Sequence, residues 1–336
     1  MIIEYKKSLS KLNTFGINCI AENFINIKKD EDITEAIAYL KKTQQPYFIL
    51  GGGSNILLTK NIKGVVLFNQ IRGININEEN EENIIIKIGS GEIWNNVVKW
   101  SIENKLWGIE NLILIPGTAG AAPIQNIGAY GTEIKDVLLN VTGFDMLTGK
   151  KKIFNKKECE FEYRNSIFKK ELKNNFFITE LQIVLKKNGK PNLGYESLRL
   201  EAAKEKKKIS LEEIGSLVSK IRTSKLPNPK KIGNAGSFFK NPTINIEKLK
   251  EIKKKYPDVK YFKKKDTIKL SAGWMIEKCG WKEKNQKNCG VYKKQALVLI
   301  NFGNASGSEI KELANQINND INSKFGIRLE NEVQIF

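Results

Sequence analysis

The sequence has 336 residues, of which 40% are hydrophobic, and it carries 56 Lys and Arg, 37 Asp and Glu and no histidine. This length allows two or three packed domains, and no apolar run reaches the roughly 20 residues that a membrane-spanning helix needs. Without histidine the chain lacks the commonest general acid or base and the commonest metal ligand. Ser-His-Asp hydrolysis, Cys-His chemistry and most zinc hydrolysis are therefore excluded.

The amino-terminal segment and the cysteines predict an intracellular protein. The opening residues MIIEYKKSLSKL contain no apolar stretch with a cleavage site after it, so we expect a cytoplasmic protein that does not insert into a membrane. No two cysteines form a CxxC pair, which disfavours a zinc site and leaves no bound metal expected. A cytosolic chain of this length also needs no disulfide bonds. The four thiols are Cys19, Cys159, Cys279 and Cys289.

The formal net charge of +19 favours an anionic partner, which nucleic acid, a membrane surface or a phosphorylated small molecule could each supply. The lysines are interspersed with acidic residues, as in KKDEDITE and KEKKKISLEE, and form no concentrated basic arm. The pattern is therefore typical of a solvated surface, and we expect no nucleic-acid partner.

Short strands and helices alternate through the first half of the chain. A helix is predicted from Asp30 or Asp32, because Ile33, Ile37 and Leu40 recur at helical spacing. A second helix is predicted around Ile93, Val97 and Ile102. Strands are predicted at residues 46–50, 64–68, 84–88, 137–146 and 176–185.

The second half begins with a change of composition near residues 190–230, where a charged helix follows the capping box of Ser210 and Glu213 and stops at Pro227. This is the candidate domain boundary. A strand over 296–303 and a helix from about Ser308 to Phe325 follow. Residues 327–336 are predicted as a final strand, with Ile327, Leu329, Val333 and Ile335 on one face and Arg328, Glu330, Glu332 and Gln334 on the other.

Two glycine-containing loops are candidates for binding phosphate. The first follows the strand that ends at Leu50, and it matches neither a P-loop nor the dinucleotide GxGxxG pattern, so a tight structural turn explains it equally well. The second, IPGTAGAAPIQNIGAYG at 115–131, offers more backbone donors and two amide side chains. Together the loops favour a large phosphorylated cofactor held by Gly51, Gly52, Gly53, Ser54, Asn55, Gln125, Asn126, Gly128 and Gly131.

Three further residues could carry chemistry, each with an ordinary alternative. Arg164 in FEYRNSIF is suited to binding a carboxylate or an enolate, although an ordinary surface arginine would explain the same local sequence. Ser237 in GNAGSFFKNP would be presented on a tight turn, or it forms a simple Ser/Thr turn. Glu332 could be a residue of a solvated strand edge, and a catalytic role for it requires that it be buried near Arg164.

Six motifs occur in one order along nearly the whole chain: NTFGI at 13–17, GGGSN at 51–55, IPGTAGAAPIQNIGAYG at 115–131, YRNS at 163–166, GNAGSFFKNP at 233–242 and LENEV at 329–333. In this combination the sequence closely resembles the UDP-N-acetylenolpyruvoylglucosamine reductase (MurB) family, in the subgroup with a tyrosine substrate loop. The resemblance implies an α+β chain with a two-subdomain FAD-binding domain of the PCMH or vanillyl-alcohol-oxidase type at 13–190, split near residue 70. It also implies a substrate loop and connecting helix at 191–230, an α+β substrate domain at 231–326 and a carboxy-terminal strand at 327–336 that carries Glu332.

The resemblance further implies a reaction in peptidoglycan precursor synthesis. NADPH reduces a non-covalent FAD and leaves, and the enolpyruvyl sugar nucleotide then takes hydride at its methylene carbon to give UDP-N-acetylmuramate. By the family's pattern, Arg164 and Glu332 stabilise the enol-like charge, and Ser237 protonates the adjacent carbon. Tyr195, Lys225 and Asn241 match substrate-binding positions, and we expect a monomer.

The sequence also departs from the family's pattern. Tyr292 stands where many members have histidine, and Ala121 and Ala122 replace hydroxyl or glycine donors of some relatives. Two other functions compete with the reductase: a flavin oxidase of the same fold that uses dioxygen, and an anion-binding or nucleic-acid-binding module that would account for the charge of +19.

Overall fold

The computed structural model describes residues 1–205, 209–264 and 267–336. In chain order its strands are β1 Ile3–Ser8, β2 Ile20–Ile27, β3 Tyr47–Leu50, β4 Ile56–Leu57, β5 Ile62–Asn69, β6 Ile74–Glu79, β7 Asn83–Gly89, β8 Gly128–Ala129, β9 Thr132–Glu133, β10 Leu138–Asp145, β11 Lys151–Asn155, β12 Phe176–Lys186, β13 Gly233–Ser237, β14 Thr243–Ile244, β15 Tyr261–Lys264, β16 Thr267–Leu270, β17 Asn285–Gln286, β18 Cys289–Val291, β19 Val298–Asn301 and β20 Gln334–Ile335. Its α-helices are α1 Asp30–Thr43, α2 Trp94–Glu103, α3 Glu196–Ala202, α4 Leu211–Lys225, α5 Ile246–Lys255, α6 Ala272–Lys278 and α7 Gly307–Phe325. In the described part of the chain, no helix combines the length and the apolar character that crossing a membrane requires.

The chain divides into two compact units. The first comprises Met1–Lys7, Ile20–Gly53 and Ile62–Arg222, and the second comprises Ser8–Cys19, Ser54–Asn61 and Thr223–Phe336. The sequence pattern predicts a boundary near 190–230, but it does not indicate that 8–19 and 54–61 belong to the second unit. Those two segments are short and join it through contacts with residues far along the chain.

The first unit contains two sheets. In the sheet of order β1-β2-β5-β3, strands β2, β5 and β3 run parallel, and α1 packs its buried Ile33, Ile37 and Leu40 against them. The second sheet, β11-β10-β12-β7-β6, is antiparallel, and it shares a core with α2 and α4. The predicted division near residue 70 lies between these sheets, because β5 ends at Asn69 and β6 begins at Ile74.

The second unit is built on the antiparallel sheet β13-β19-β18-β17 and the three-stranded sheet β14-β16-β15. Helix α7 begins with a capping box between Ser306 and Glu309 and ends at Gly326, whose φ is +64°. Its buried residues Ile310, Leu313, Ile317 and Ile321 follow the spacing that predicted this helix.

The predicted strand over 327–336 is mostly wrong. Only Gln334–Ile335 forms a strand, and it pairs parallel with Ile56–Leu57. Residues 327–330 pair with no strand, although their burial alternates as the sequence predicts, with Ile327 and Leu329 buried. Alternating burial therefore arises here without a continuous ladder of hydrogen bonds to a neighbouring strand. Glu332 precedes the short strand.

Candidate active site

The first glycine loop meets the second glycine loop within the first unit. A Cβ atom on Gly51 would lie 2.9 Å from the Thr118 Oγ1, and one on Gly52 would lie 2.9 Å from the Gly117 Cα. The two backbones approach so closely that only glycine fits at Gly52. Among the described residues, the N–H groups of Gly51 and Gly52 find no protein acceptor. Such N–H donors between close loops fit the pyrophosphate of a dinucleotide cofactor.

The Asn126 side chain is engaged within the protein, although sequence reasoning expected it to reach the cofactor. Its Nδ2 donates to the Glu133 Oε2 at 3.2 Å and to the Glu162 carbonyl at 3.1 Å, and its Oδ1 accepts from the Lys135 N–H at 3.2 Å. The side chain is fully buried. It therefore shapes the second loop, and the Asn126 N–H is also engaged, because it donates to the Pro123 carbonyl at 3.3 Å.

Arg164 lies at a tight turn against the same loop. Its Nη2 donates to the Gly128 carbonyl at 2.9 Å, and its guanidinium lies 5.4 Å from the ring centroid of Tyr163. A Cβ on Gly128 would come within 3.2 Å of the Arg164 Nη1, so a larger residue there would displace the guanidinium. These contacts hold the side chain in one place before any ligand arrives.

Backbone strain is concentrated in these segments. Four residues other than glycine have left-handed φ values here: Leu114 at +59°, Asn126 at +46°, Tyr130 at +48° and Arg164 at +55°. This conformation is unfavourable for residues with a Cβ, and such strain is enriched at functional sites. Asn126 and Tyr130 lie within the second glycine loop and Arg164 lies within the FEYRNSIF segment, which supports a functional role for both segments.

Tyr195 is joined to this region through Tyr130 and two asparagines. The two tyrosine rings meet edge to face, with centroids 5.3 Å apart. The buried Asn111 donates through Nδ2 to the carbonyls of Tyr130 and Asn192, both at 2.9 Å. Asn192 in turn donates to the Gly131 carbonyl at 3.1 Å. Sequence reasoning missed Asn111, because nothing in ENL distinguishes it from a surface asparagine.

In the second unit, Ser237 ends strand β13 and is half-buried. Gly236 has a φ of +70°, and its N–H donates to the Oδ1 of the buried Asn234 at 3.0 Å. The next two residues, Phe238 and Phe239, are buried and pack edge to face at 5.1 Å. In the described part of the chain, no hydrogen bond is made by the Ser237 hydroxyl. The hydroxyl is therefore presented by a turn that is anchored on both sides.

Glu332 lies beside this turn. Its N–H donates to the Phe238 carbonyl at 2.8 Å, and its own carbonyl accepts from the Asn55 Nδ2 at 3.1 Å. Asn331 forms a bridge with Phe239 in the same place. The fold thus brings Ser237 and Glu332 together by main-chain pairing, although 94 positions separate them. Arg164 belongs to the first unit.

The two other predicted substrate residues also lie in the second unit. Lys225 ends α4 and is exposed. The Asn241 Oδ1 accepts the Ala272 N–H at 3.0 Å at the start of α6, which leaves its Nδ2 to donate elsewhere. This bond fixes which end of the amide can face a phosphate.

Arg222 is a candidate that the sequence did not single out. It lies on α4 three residues before Lys225, and its Nη2 donates to the Leu114 carbonyl at 3.2 Å. The motif IRTSKLP contains it, but local sequence does not tell a buried arginine from a solvated one, since tertiary contacts decide burial.

Two family models match the chain. The UDP-N-acetylenolpyruvoylglucosamine reductase C-terminal domain matches residues 228–336, and the FAD binding domain matches residues 21–155. The UDP-N-acetylenolpyruvoylglucosamine reductase of Flavobacterium johnsoniae is 41% identical, with all of both chains covered. The enzymes of that name from Bdellovibrio bacteriovorus and Buchnera aphidicola are 41% and 44% identical, with 99% and 98% of each chain covered.

Among solved structures, the chain is similar to UDP-N-acetylenolpyruvylglucosamine reductase from Thermus caldophilus. The TM-score is 0.70 at 20% identity, and 100% of this chain and 99% of that chain are covered. At this identity the likeness concerns the fold. The α+β class with an FAD-binding domain, which the sequence predicts, is confirmed.

Proposed function

The chain belongs to the UDP-N-acetylenolpyruvoylglucosamine reductase family, and on that premise we propose that Arg164, Ser237 and Glu332 form its catalytic set. The reaction is the reduction of the enolpyruvyl group of a UDP-N-acetylglucosamine derivative to UDP-N-acetylmuramate, a peptidoglycan precursor. FAD is the cofactor and NADPH is the hydride donor. The alternative of an oxidase with the same fold is disfavoured by the full-length match to reductases.

The observation that carries the proposal is the pairing of the Ser237 turn with the Glu332 segment inside the second unit. The Phe238 carbonyl accepts the Glu332 N–H. The hydroxyl-bearing Ser237 and the carboxylate-bearing Glu332 therefore lie on two neighbouring stretches of main chain. In a chain without histidine, a serine hydroxyl that makes no other hydrogen bond among the described residues is well placed to donate a proton.

The cofactor fits the glycine loops of the first unit. Gly51 and Gly52 would hold FAD through their N–H donors, in accord with the close approach of Gly52 to Gly117. When bound, FAD supplies the hydride that it has accepted from NADPH. We assign Gly53, Ser54, Asn55, Gln125, Asn126, Gly128 and Gly131 to the same set on the family's pattern.

The chain's own residues then act on the substrate. Arg164 binds the carboxylate as its negative charge grows, Glu332 helps to stabilise the enol-like form, and Ser237 transfers a proton to the neighbouring carbon. An enol-like anion is a strong base, so even a weak acid suffices, and water returns the proton to Ser237. Tyr195, Lys225 and Asn241 bind the sugar nucleotide, where a lysine suits a diphosphate.

We also propose that the protein is a cytoplasmic monomer that binds no nucleic acid. NADPH and UDP-sugars are metabolites of the cytoplasm, which supports the location. Many of the surface lysines contact carboxylates, as Lys151 contacts Asp30 and Lys240 contacts Glu330 at 2.9 Å. Light scattering and a salt-dependent titration with polynucleotide test these two points.

The visible spectrum of the purified protein tests the reaction. We expect a yellow protein that is bleached by NADPH without oxygen, and whose colour returns on addition of the enolpyruvyl sugar nucleotide. A colourless protein that takes up no FAD would overturn the proposal. Reduced protein that is reoxidised by dioxygen but not by the sugar nucleotide would favour the oxidase.

The Ser237→Ala variant tests the role of the serine. We expect NADPH to reduce the flavin in this variant, while reoxidation by the enolpyruvyl substrate is nearly abolished. Ser323→Ala, an exposed serine on α7, is the matched control. If both half-reactions of Ser237→Ala fell equally, the serine would be structural.

A further inference from the structure

The segment that joins β12 to α3 in the first unit is attached to its surroundings by side chains. Residues 188–195, the Tyr195 segment, form neither helix nor strand. Among the residues that the structure describes, no hydrogen bond joins the main chain of 188–194 to the main chain elsewhere in the protein. Leu193 packs against the core, and Gly189 lies against a tryptophan side chain. The hydrogen bonds that fix this segment therefore involve side chains.

Asn111 supplies two of these bonds at once. Its side chain is fully buried, and its Nδ2 donates to the carbonyls of Tyr130 and Asn192, both at 2.9 Å. The first carbonyl belongs to the second glycine loop and the other belongs to the Tyr195 segment, so a single amide group joins the two. The Asn111 Oδ1 is buried and finds no donor in the described part of the chain. A buried acceptor without a donor is unfavourable, so the contribution of this asparagine lies in its two donated bonds.

Asn192 makes a second connection between the same two parts. Its Nδ2 donates to the Gly131 carbonyl and to the Thr132 Oγ1, both at 3.1 Å. Its Oδ1 accepts the Gly194 N–H at 3.1 Å. A Cβ on Gly131 would lie 3.4 Å from the Asn192 Oδ1, so the two residues are in direct contact. The Tyr195 segment therefore lies on the carboxy-terminal end of the second glycine loop.

These bonds determine where the Tyr195 ring lies. The ring meets the Tyr130 ring edge to face, with centroids 5.3 Å apart. Asn111 bonds the carbonyl of Tyr130 itself and a carbonyl three residues before Tyr195, so it sets the distance between the two backbones that carry the rings. Tyr195 is 40% exposed, which leaves part of it accessible to a ligand.

We propose that Asn111 is a positioning residue for Tyr195, because its two donated hydrogen bonds hold the Tyr195 segment on the second glycine loop and so set the affinity for the sugar nucleotide. This inference rests on the proposed function, which assigns Tyr195 to substrate binding. When only a fraction of the protein has its binding residue in place, the apparent affinity falls by that fraction. Asn111 raises the fraction by holding the segment before the ligand arrives.

A role confined to the second glycine loop is the competing explanation. Asn111 also bonds Tyr130, whose left-handed φ of +48° needs support from its surroundings. In that case, loss of Asn111 would disturb the loop and lower the FAD content of the purified protein. The positioning role instead predicts a change confined to the Tyr195 segment and to the binding of the sugar nucleotide.

The Asn111→Ala variant separates the two roles. We expect the enolpyruvyl sugar nucleotide to bind the oxidised, FAD-loaded variant about 5- to 30-fold more weakly in calorimetry, since two ordinary hydrogen bonds are lost. Cleavage by chymotrypsin after Leu193, mapped by mass spectrometry, should accelerate by a similar factor, because proteolysis follows the population of the open segment. The flavin content should equal that of wild type.

Asn23→Ala is the matched control. Asn23 is a buried asparagine of the same unit, and its Nδ2 also donates twice, to the Gly64 carbonyl at 3.1 Å and to the Gln45 Oε1 at 3.3 Å. We expect wild-type affinity and wild-type cleavage after Leu193 in this variant. Effects equal to those of Asn111→Ala would overturn the inference, because any lost buried asparagine would then produce them.

A double variant tests whether Asn111 acts through Tyr195. If it does, Asn111→Ala should weaken binding no further in protein that already carries Tyr195→Ala. Losses that add in the double variant would overturn the inference. A lowered flavin content in Asn111→Ala would also overturn it and would assign Asn111 to the second glycine loop.

Asn192→Ala provides the test if Asn111→Ala folds poorly. Asn192 is exposed, and this change removes the bonds to Gly131 and Thr132 while the main-chain carbonyl that Asn111 contacts remains. We expect faster cleavage after Leu193 together with weaker binding of the enolpyruvyl sugar nucleotide. Faster cleavage with wild-type affinity, or no change in either, would overturn only the inference. Wild-type protein that does not bind the sugar nucleotide would overturn the proposed function.

Discussion

The two units hold the residues of the proposed catalytic set by different physical means. In the first unit, Arg164 and Tyr130 adopt left-handed φ values despite their side chains, and the buried Nε of Arg222 finds no acceptor among the described residues. In the second unit, the left-handed position beside Ser237 is a glycine, and regular main-chain bonds fix the turn. In the first unit, unfavourable φ values and an unbonded guanidinium N–H therefore accompany the predicted binding residues. In the second unit, the backbone around Ser237 has no residue with a Cβ in the left-handed region.

The comparison predicts that the largest effect comes from the charge at Arg164. Arg164→Gln should slow flavin reoxidation by the enolpyruvyl substrate by about 10²- to 10³-fold, because a preorganised stabiliser of developing charge is lost. Stopped-flow absorbance measures the rate constant. Arg72→Gln, at an exposed arginine of the same unit, should keep the wild-type value. A wild-type rate constant in Arg164→Gln would contradict the proposed role of Arg164 in stabilising the charge that develops on the substrate.

The next effect concerns the close approach of the two glycine loops. In Gly52→Ala the new methyl group would lie 2.9 Å from the Gly117 Cα, a main-chain atom that cannot move aside cheaply. We expect the purified variant to contain little FAD, as the absorbance ratio of flavin to protein will show. Gly215→Ala is the control, since it displaces only the end of the Ile102 side chain. If the Gly52 variant retained its full flavin content, the loops would not form the cofactor site.

A smaller effect tests the relaxed backbone of the second unit. Nothing lies within 4 Å of a Cβ placed on Gly236, so alanine there meets only the left-handed penalty of about 1–2 kcal/mol. We expect the free energy of unfolding in urea to fall by about that amount. Gly273→Ala should change it in the opposite direction by about 0.5–1 kcal/mol, because Gly273 lies in a helix beside the movable Gln295 side chain. Equal changes in the free energy of unfolding of both variants would contradict the left-handed penalty assigned to Gly236.

The smallest effect concerns a carboxylate that forms a salt bridge within the first unit. The Lys152 ammonium, 2.7 Å away, and the Thr148 N–H lower the pKa of Asp145 to about 2. A depressed pKa stabilises the fold above the ordinary value of 3.8 and loses that contribution as the pH falls towards 2. The pair is near the surface, so solvent screening limits the contribution to about 1 kcal/mol.

The Asp145→Asn variant should therefore be less stable than wild type by a constant amount between about pH 5 and 8, with the difference shrinking at lower pH. Urea unfolding at several pH values measures it, and Lys152→Met should show the same dependence. A difference that varied between neutral and mildly acidic pH would point to another titrating group.

Local sequence predicted much of the fold because helices and strands here carry regular apolar spacing. The spacing of Ile33, Ile37 and Leu40 predicted α1, and the capping box at Ser210 marks the start of α4. Prediction failed at 327–336, where burial alternates but only Gln334–Ile335 finds a strand to pair with. Alternation of apolar and polar residues predicts which side chains face a core, but it does not predict whether a neighbouring strand is present.

The sequence alone determined the family, the chemistry available without histidine, and the residue types that can act, since ordered motifs and composition are properties of the chain itself. Only the tertiary structure decided that Asn126 serves its loop, that Asn111 joins Tyr130 to the Tyr195 segment, and that the half-buried Arg222 donates to the Leu114 carbonyl. Each of these depends on burial and on partners distant in the chain. Local sequence cannot specify either one, because the same side chain is solvated or desolvated according to what packs over it.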